Sequence, residues 1–198
     1  MLMDMDILVC GVGGQGTVLA SKLIASAAMS LGNTVHSAET IGMAQRGGSV
    51  TSHIRIGDNA YSPLIPLGSA DVIIAFEPAE AVRNLMYLKK DGFVIVNRIP
   101  VKPTTESIHE TGYDGVEMIE YIKKKCGCLV VDASELCGEL GGKFYNSAIL
   151  GAAAGTGRLG ISPEALIAEI EGRVPEKFIE ANKKVFSLGL KQAENFDL

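Results

Sequence analysis

The apolar positions fall into short β-branched runs separated by longer stretches of helical spacing. Ile7-Leu8-Val9-Cys10 leads into Gly11-Val12-Gly13-Gly14-Gln15-Gly16, and an apolar segment from Thr17 to Leu31 follows at once. This order predicts a strand, a glycine-rich turn and a helix. Further strands are predicted at Thr34-Val35-His36-Ser37, Asp71 to Phe76, Phe93 to Asn97 and Cys128 to Asp132. None of these alternates cleanly, as expected of parallel strands covered on both faces. Helices are predicted between them: Ala79 to Lys89, opened by Glu77-Pro78 and closed by Asp91-Gly92, and Asp114 to Lys125, closed by Gly127.

One segment departs from this rhythm. From Ser49 to Ile56, Val50, Ser52, Ile54 and Ile56 alternate with Ser49, Thr51, His53 and Arg55, which predicts a half-exposed strand. With a turn at Gly57-Asp58-Asn59 and Ala60-Tyr61-Ser62 after it, the pattern reads as an inserted β-hairpin. After Asp132 the chain turns helical. Asn146 is the expected N-cap of a helix reaching Gly155, whose Gly151-to-Gly155 face would admit another backbone closely. Ser162-Pro163-Glu164 opens the next helix, which Gly172 ends, and Pro175 opens a last one with Phe178, Val185, Phe186 and Gly189 near one face. The expected fold is α/β: a doubly wound, mostly parallel Rossmann-like sheet with an inserted β-hairpin and a helical C-terminal extension. We expect one domain over 1–198, with an α/β core at 1–142 and the helical extension at 143–198.

Composition narrows the function. With 198 residues, 47% hydrophobic and 21% charged, the chain suits one sizeable core and gives no case for disorder. A net charge of −5 and a lone basic triplet, Lys123-Lys124-Lys125, argue against nucleic acid as a partner. The opening Met1-Leu2-Met3-Asp4-Met5-Asp6 lacks a basic leader, and the longest nearly uncharged stretch, Phe144 to Gly157, is short for a membrane span. The expectation is a cytoplasmic protein with no membrane partner. Cysteines 10, 126, 128 and 137 form no C-x-x-C, and histidines 36, 53 and 109 form no i,i+4 pair, so no metal or iron–sulfur site is expected on this chain.

Gly11, Gly13 and Gly16 match G-x-G-x-x-G, in which loop amides and a helix N-terminus receive a pyrophosphate. Glu39 stands where the ribose-binding acid of such a site belongs. Equally, the glycines serve to pack the first helix tightly against the first strand, and spacing alone leaves both readings open. Ile41 to Val50 has neither helical nor strand pattern. Its Gly47 and Gly48 permit a nest of loop amides, with Arg46 supplying donors, or else it is an exposed turn.

Taken together, Val12-Gly13-Gly14-Gln15-Gly16, Met43-Ala44-Gln45-Arg46-Gly47-Gly48-Ser49-Val50 and Ala70 to Pro78 resemble the gamma domain of the 2-oxoacid:ferredoxin oxidoreductases over nearly the whole chain. The resemblance is strongest to the indolepyruvate branch, because relatives acting on pyruvate or 2-oxoglutarate look different around the shared Arg-Gly. It implies an anaerobic complex that oxidatively decarboxylates an aryl pyruvate, reduces ferredoxin and releases an arylacetyl-CoA. Thiamine diphosphate and the iron–sulfur clusters then belong to a large alpha subunit, with coenzyme A as co-substrate and no cofactor resident on this chain. The resemblance also argues against the glycine loop as a nicotinamide site. No Ser or Cys has a readable His neighbour, so no catalytic residue is assigned. The candidate binding residues are Gly13, Gly14, Gln15, Gly16, Gln45, Arg46, Gly47 and Gly48, expected to meet at the carboxyl end of the sheet and face the large subunit. Two other readings stand beside this one: a free-standing nucleotide-binding oxidoreductase and a non-catalytic assembly subunit.

Overall fold

Successive residues of β1 (Met5–Val12) enter two different cores. Ile7 and Val9 join a cluster with Leu23, Ile24, Ile74, Ile95, Ile149 and Phe186, whereas Leu8 and Cys10 join Ile73, Val94, Ala81 and Ile122 on the opposite face. A strand buried on both sides needs apolar residues at every position, which is why these runs show no alternation. The computed structural model describes residues 3–42, 47–102 and 112–194. Within them lies a six-stranded sheet of order β2-β3-β1-β4-β5-β6, formed with β2 (Val35–Ile41), β3 (Ser49–Ile56), β4 (Ala70–Ala75), β5 (Leu88–Asn97) and β6 (Gly127–Val131). β1, β4, β5 and β6 pair in parallel; β3 runs antiparallel to β1 and to β2.

Helices cover both faces. α1 (Thr17–Ser30), α5 (Tyr145–Gly155), α6 (Pro163–Arg173) and α7 (Glu176–Glu194) contribute to the larger core, and α2 (Pro78–Asn84) and α3 (Val116–Lys125) to the smaller one. A short α4 (Ala133–Cys137) is capped by Asp132, whose carboxylate accepts from the N–H groups of Ser134 and Glu135. Ser162 caps α6 as its sequence signature requires, accepting from Ala165 N–H at 3.3 Å. α5 is buried from Asn146 to Ala154, between the sheet and α7. A Cβ on Gly151 would stand 2.0 Å from the carbonyl oxygen of Phe186, and one on Gly189 would stand 2.1 Å from that of Ala148. The neighbour that the small-residue face of α5 admits is therefore α7.

Three expected elements shift. The hairpin exists, but β3 pairs with the strand before it, in register from Val35↔Ile56 to Ile41↔Val50, and Ala60-Tyr61-Ser62 forms no strand. β3 is consequently an interior strand, and His53, expected to be exposed, is buried beneath Ile65, whose N–H it accepts at 3.3 Å. The helix expected to reach Lys89 ends at Asn84, passes through a 3₁₀ turn at Leu85–Tyr87 and becomes β5 at Leu88. Asn84 Nδ2 takes the Glu80 carbonyl at 2.9 Å, and Leu88 pairs with Ala70, so tertiary pairing overrides the local helical spacing. Asn146 is not an N-cap either. A 3₁₀ turn at Gly142–Phe144 feeds directly into α5 and places Asn146 in its first turn.

Candidate carboxyl-edge site

The chain leaves β1 toward β2 and β3 on one side and returns to β4 on the other, so the direction of winding reverses beside the carboxyl end of β1. Open α/β sheets bind ligands in the crevice at such a reversal. The loop Gly13 to Gly16 occupies it. Gly14 and Gly16 have φ of 98° and 81°, a backbone region that side chains other than glycine rarely adopt. Gly11 lies under the loop, where a Cβ would meet Gln15 Oε1 at 2.8 Å, Thr17 Oγ1 at 2.9 Å and Phe76 Cβ at 3.0 Å.

Gln15 is used by the fold itself. Its Oε1 accepts from Val12 N–H at 2.8 Å and its Nε2 donates to the Phe76 carbonyl at 3.0 Å, clamping the end of β1 to the end of β4. Asn97, at the end of β5, donates to the same carbonyl at 3.2 Å and accepts from Ala133 N–H at 3.4 Å. This chain of amides fixes the ends of successive parallel strands. Above it lies a cleft of about 140 Å³ with Gly14, Gln15, Asn97, Val101 and Tyr145 in its walls. Thr17, first residue of α1, is buried with its Oγ1 unpartnered among the described residues. No side chain among the described residues caps α1, which leaves its first-turn N–H groups their capacity for an anion.

The second glycine segment arrives at this loop. Gly13 N–H donates to the Gly48 carbonyl at 2.8 Å, Gly47 N–H reaches the Gly13 carbonyl at 3.4 Å, and Gly42 N–H donates to Ser49 O at 2.9 Å. Gly47 has φ of 77°. Of the expected site residues, Gly13, Gly14, Gln15, Gly16, Gly47 and Gly48 thus lie together at one edge, while Gln45 and Arg46 fall outside the described residues. Glu39 does not join them. β3 separates β2 from β1, and the Glu39 carboxylate accepts from Ser21 Oγ at 3.4 Å, so the ribose-binding part of a dinucleotide fingerprint is not beside the loop.

Sequence reasoning missed several residues at this edge. Glu77 and Glu80 are almost fully buried behind it. Glu77 Oε2 caps α2 by accepting from Glu80 N–H at 3.0 Å, and Glu77 Oε1 accepts from Tyr113 Oη at 2.5 Å. Glu80 accepts from Ser49 Oγ at 2.6 Å and pairs with Arg83. Asn146 lies beside Gly16, its Nδ2 2.8 Å from where a Cβ would be. The sequence marks Glu77-Pro78 as a helix start and Asn146 as a cap, and neither signal says which strand or loop these side chains face.

Among the described residues no Cys is placed beside a His that could act as its base. Burial, then the Glu80 and Glu77 charges, push the Cys10 thiol well above its ordinary range, and burial lowers His53. His53 pairs with Leu8 at mid-strand, away from the carboxyl edge, and its ring meets Tyr87 edge-on. Burial raises Cys126 and Cys137 to about 11. Among the described residues no three His, Cys, Asp or Glu side chains gather in a way that would hold a metal ion. No helix among them is long and apolar enough to cross a membrane.

The family model described as pyruvate ferredoxin/flavodoxin oxidoreductase matches residues 6–192. An indolepyruvate oxidoreductase subunit IorB from Pyrococcus horikoshii is 38% identical over 96% of both chains, and its counterpart from Archaeoglobus fulgidus is 39% identical over the same shares. The chain belongs to the pyruvate ferredoxin/flavodoxin oxidoreductase family. Among solved structures it is similar to the pyruvate oxidoreductase subunit PORC of Thermotoga maritima, at 27% identity and a TM-score of 0.70 over 95% of this chain and 96% of that one. It also shares its fold with part of the 2-oxoglutarate:ferredoxin oxidoreductase of Magnetococcus marinus, at a TM-score of 0.73 over 98% of this chain and 32% of the larger one. The same fold thus occurs both as a separate subunit and within a longer chain.

Proposed function

We propose that this chain is the small subunit of an indolepyruvate:ferredoxin oxidoreductase, acting in the cytoplasm as part of a heteromeric complex with a large alpha subunit. The observation that carries this is the 36–39% identity, over nearly the full length of both partners, to relatives named as the indolepyruvate oxidoreductase subunit IorB. In this reading thiamine diphosphate and the iron–sulfur clusters reside on the large subunit, coenzyme A is the co-substrate, and ferredoxin accepts electrons from the complex. Residues 1–198 act as one domain, with α5 and α7 sharing the core of the sheet.

The role of this chain is to supply one wall of a shared site. Gly13 to Gly16, the first turn of α1 and Gln45 to Gly48 face the large subunit, and their amides, with Arg46, hold an anionic group of substrate or coenzyme A. The test is reconstitution with the large subunit. Indolepyruvate- and coenzyme A-dependent dye reduction should need both chains, and Arg46→Ala should impair it while the isolated small chain stays folded. Equal turnover by the large subunit alone, or by the Arg46→Ala complex, would overturn the respective part of this reading. Turnover of pyruvate in preference to indolepyruvate would overturn the substrate assignment.

A further inference from the structure

Glu80 is 1% exposed, yet Ser49, the residue it grips, is exposed at the start of β3. Holding a carboxylate in the interior is costly unless its charge is compensated and its oxygens are hydrogen-bonded. Both oxygens of Glu80 are engaged: Oε2 accepts from Ser49 Oγ at 2.6 Å, and Oε1 pairs with Arg83. The acid is itself fixed from behind, because its N–H donates to Glu77 Oε2 at 3.0 Å and its carbonyl accepts from Asn84 Nδ2 at 2.9 Å. Ser49 is opposite Val12 in the β1–β3 ladder, and Gly48, just before it, accepts from Gly13. A charge-assisted contact at this point therefore decides where β3 begins and where the Gly48 carbonyl meets the glycine loop.

We propose that Glu80 is a positioning residue for the carboxyl-edge site: acting through Ser49 Oγ, it sets the Gly47-Gly48 segment against Gly13. This rests on the reading of that edge as a functional site. Glu80 touches no reacting group. Its effect passes through the Gly48–Gly13 contact, which completes the wall that the large subunit faces.

The test uses the reconstituted complex with Ser49→Ala, Ser49→Thr, Glu80→Gln, Glu80→Ala and the Ser49→Ala/Glu80→Ala double variant. The measurements are kcat and KM for indolepyruvate and for coenzyme A, alongside urea denaturation of each small chain. Ser49→Ala should lower kcat/KM about tenfold, the scale of one lost charge-assisted hydrogen bond, and should also lower the denaturation midpoint while the small chain still folds, because it strips a partner from a buried carboxylate. Ser49→Thr, which keeps the hydroxyl, should restore it to within about twofold. Glu80→Gln keeps an acceptor and should lose less than Glu80→Ala. The double variant should lose no more than Glu80→Ala alone, since both changes break one contact. Wild-type kcat/KM in Ser49→Ala, with Arg46→Ala impaired, would overturn the positioning role and leave the site standing. Wild-type values in both would overturn the site reading and this proposal with it. Additive losses in the double variant would show that Glu80 and Ser49 act independently and overturn the proposal.

Discussion

Gly13 donates its N–H to the carbonyl oxygen of Gly48 at 2.8 Å, joining two glycine-rich loops that one helix and one strand separate in the chain. The contact is backbone to backbone, so no side-chain pattern announces it. It makes the turn after β1 and the β2–β3 connection one continuous edge. What each side chain on that edge does then becomes a question of geometry, and Gln15 is the clearest instance.

Gln15→Ala should destabilise the small chain by about 1–3 kcal/mol, because it leaves Val12 N–H without its partner and the Phe76 carbonyl with Asn97 alone. Urea denaturation checks this. An unchanged midpoint together with lost turnover in the complex would show instead that the side chain serves a ligand rather than the strand ends.

Gly151→Ala and Gly189→Ala should each destabilise by about 3 kcal/mol or more, since the added methyl would lie 2.0 Å and 2.1 Å from carbonyl oxygens of the facing helix. Gly172, in the last turns of α6, has nothing within 4 Å of where its Cβ would be. Gly172→Ala should therefore stabilise by up to about 1 kcal/mol through helix propensity. Thermal or chemical unfolding of the three variants separates the two effects, and similar midpoints for all three would contradict the α5–α7 contact.

His53 makes stability depend on pH. Burial holds its imidazole below the ordinary value of 6.5, so as the pH falls below that value the unfolded chain binds the proton more readily than the folded one. Its contribution is complete above pH 6.5 and is lost on acidification through the lowered folded value. His53→Gln keeps an acceptor for Ile65 N–H and does not titrate, so its stability should fall less between pH 6.5 and pH 5 than that of the wild-type chain. Parallel curves from pH-dependent denaturation would argue against a buried neutral imidazole.

The thiols should be slow nucleophiles. Cys126 and Cys137 are raised to about 11 by burial, and Cys10 is pushed well above its ordinary range by burial and two carboxylates. Iodoacetamide at pH 7.5 should label the folded chain far more slowly than the urea-unfolded one at each of these positions, read by mass spectrometry. Rapid labelling of Cys10 in the folded chain would contradict its burial.

Much of the fold was legible in the residues. The continuous apolar runs at Ile7, Val72 and Val94 declare strands covered on both faces, and Ser162-Pro163 and Glu77-Pro78 declare helix starts through capping chemistry that needs only neighbouring residues. The Gly151-to-Gly155 face also announced a close approach, since few other constraints place glycine in the middle of a helix. The sequence reads segments 13–16 and 45–48 as one candidate edge, and among the described residues Gly13, Gly47 and Gly48 make contact there.

The sequence by itself therefore determined the element types, the doubly wound class and the family, because these rest on local periodicity, capping and motif residues. Only the tertiary structure decided which strand β3 pairs with, where α2 gives way to β5, which helix faces Gly151, and that Glu80 reaches Ser49. Each of these is a pairing between residues distant in the chain, settled by which partners satisfy buried hydrogen bonds and fill space once the layers close. A residue's own neighbours carry no record of that choice.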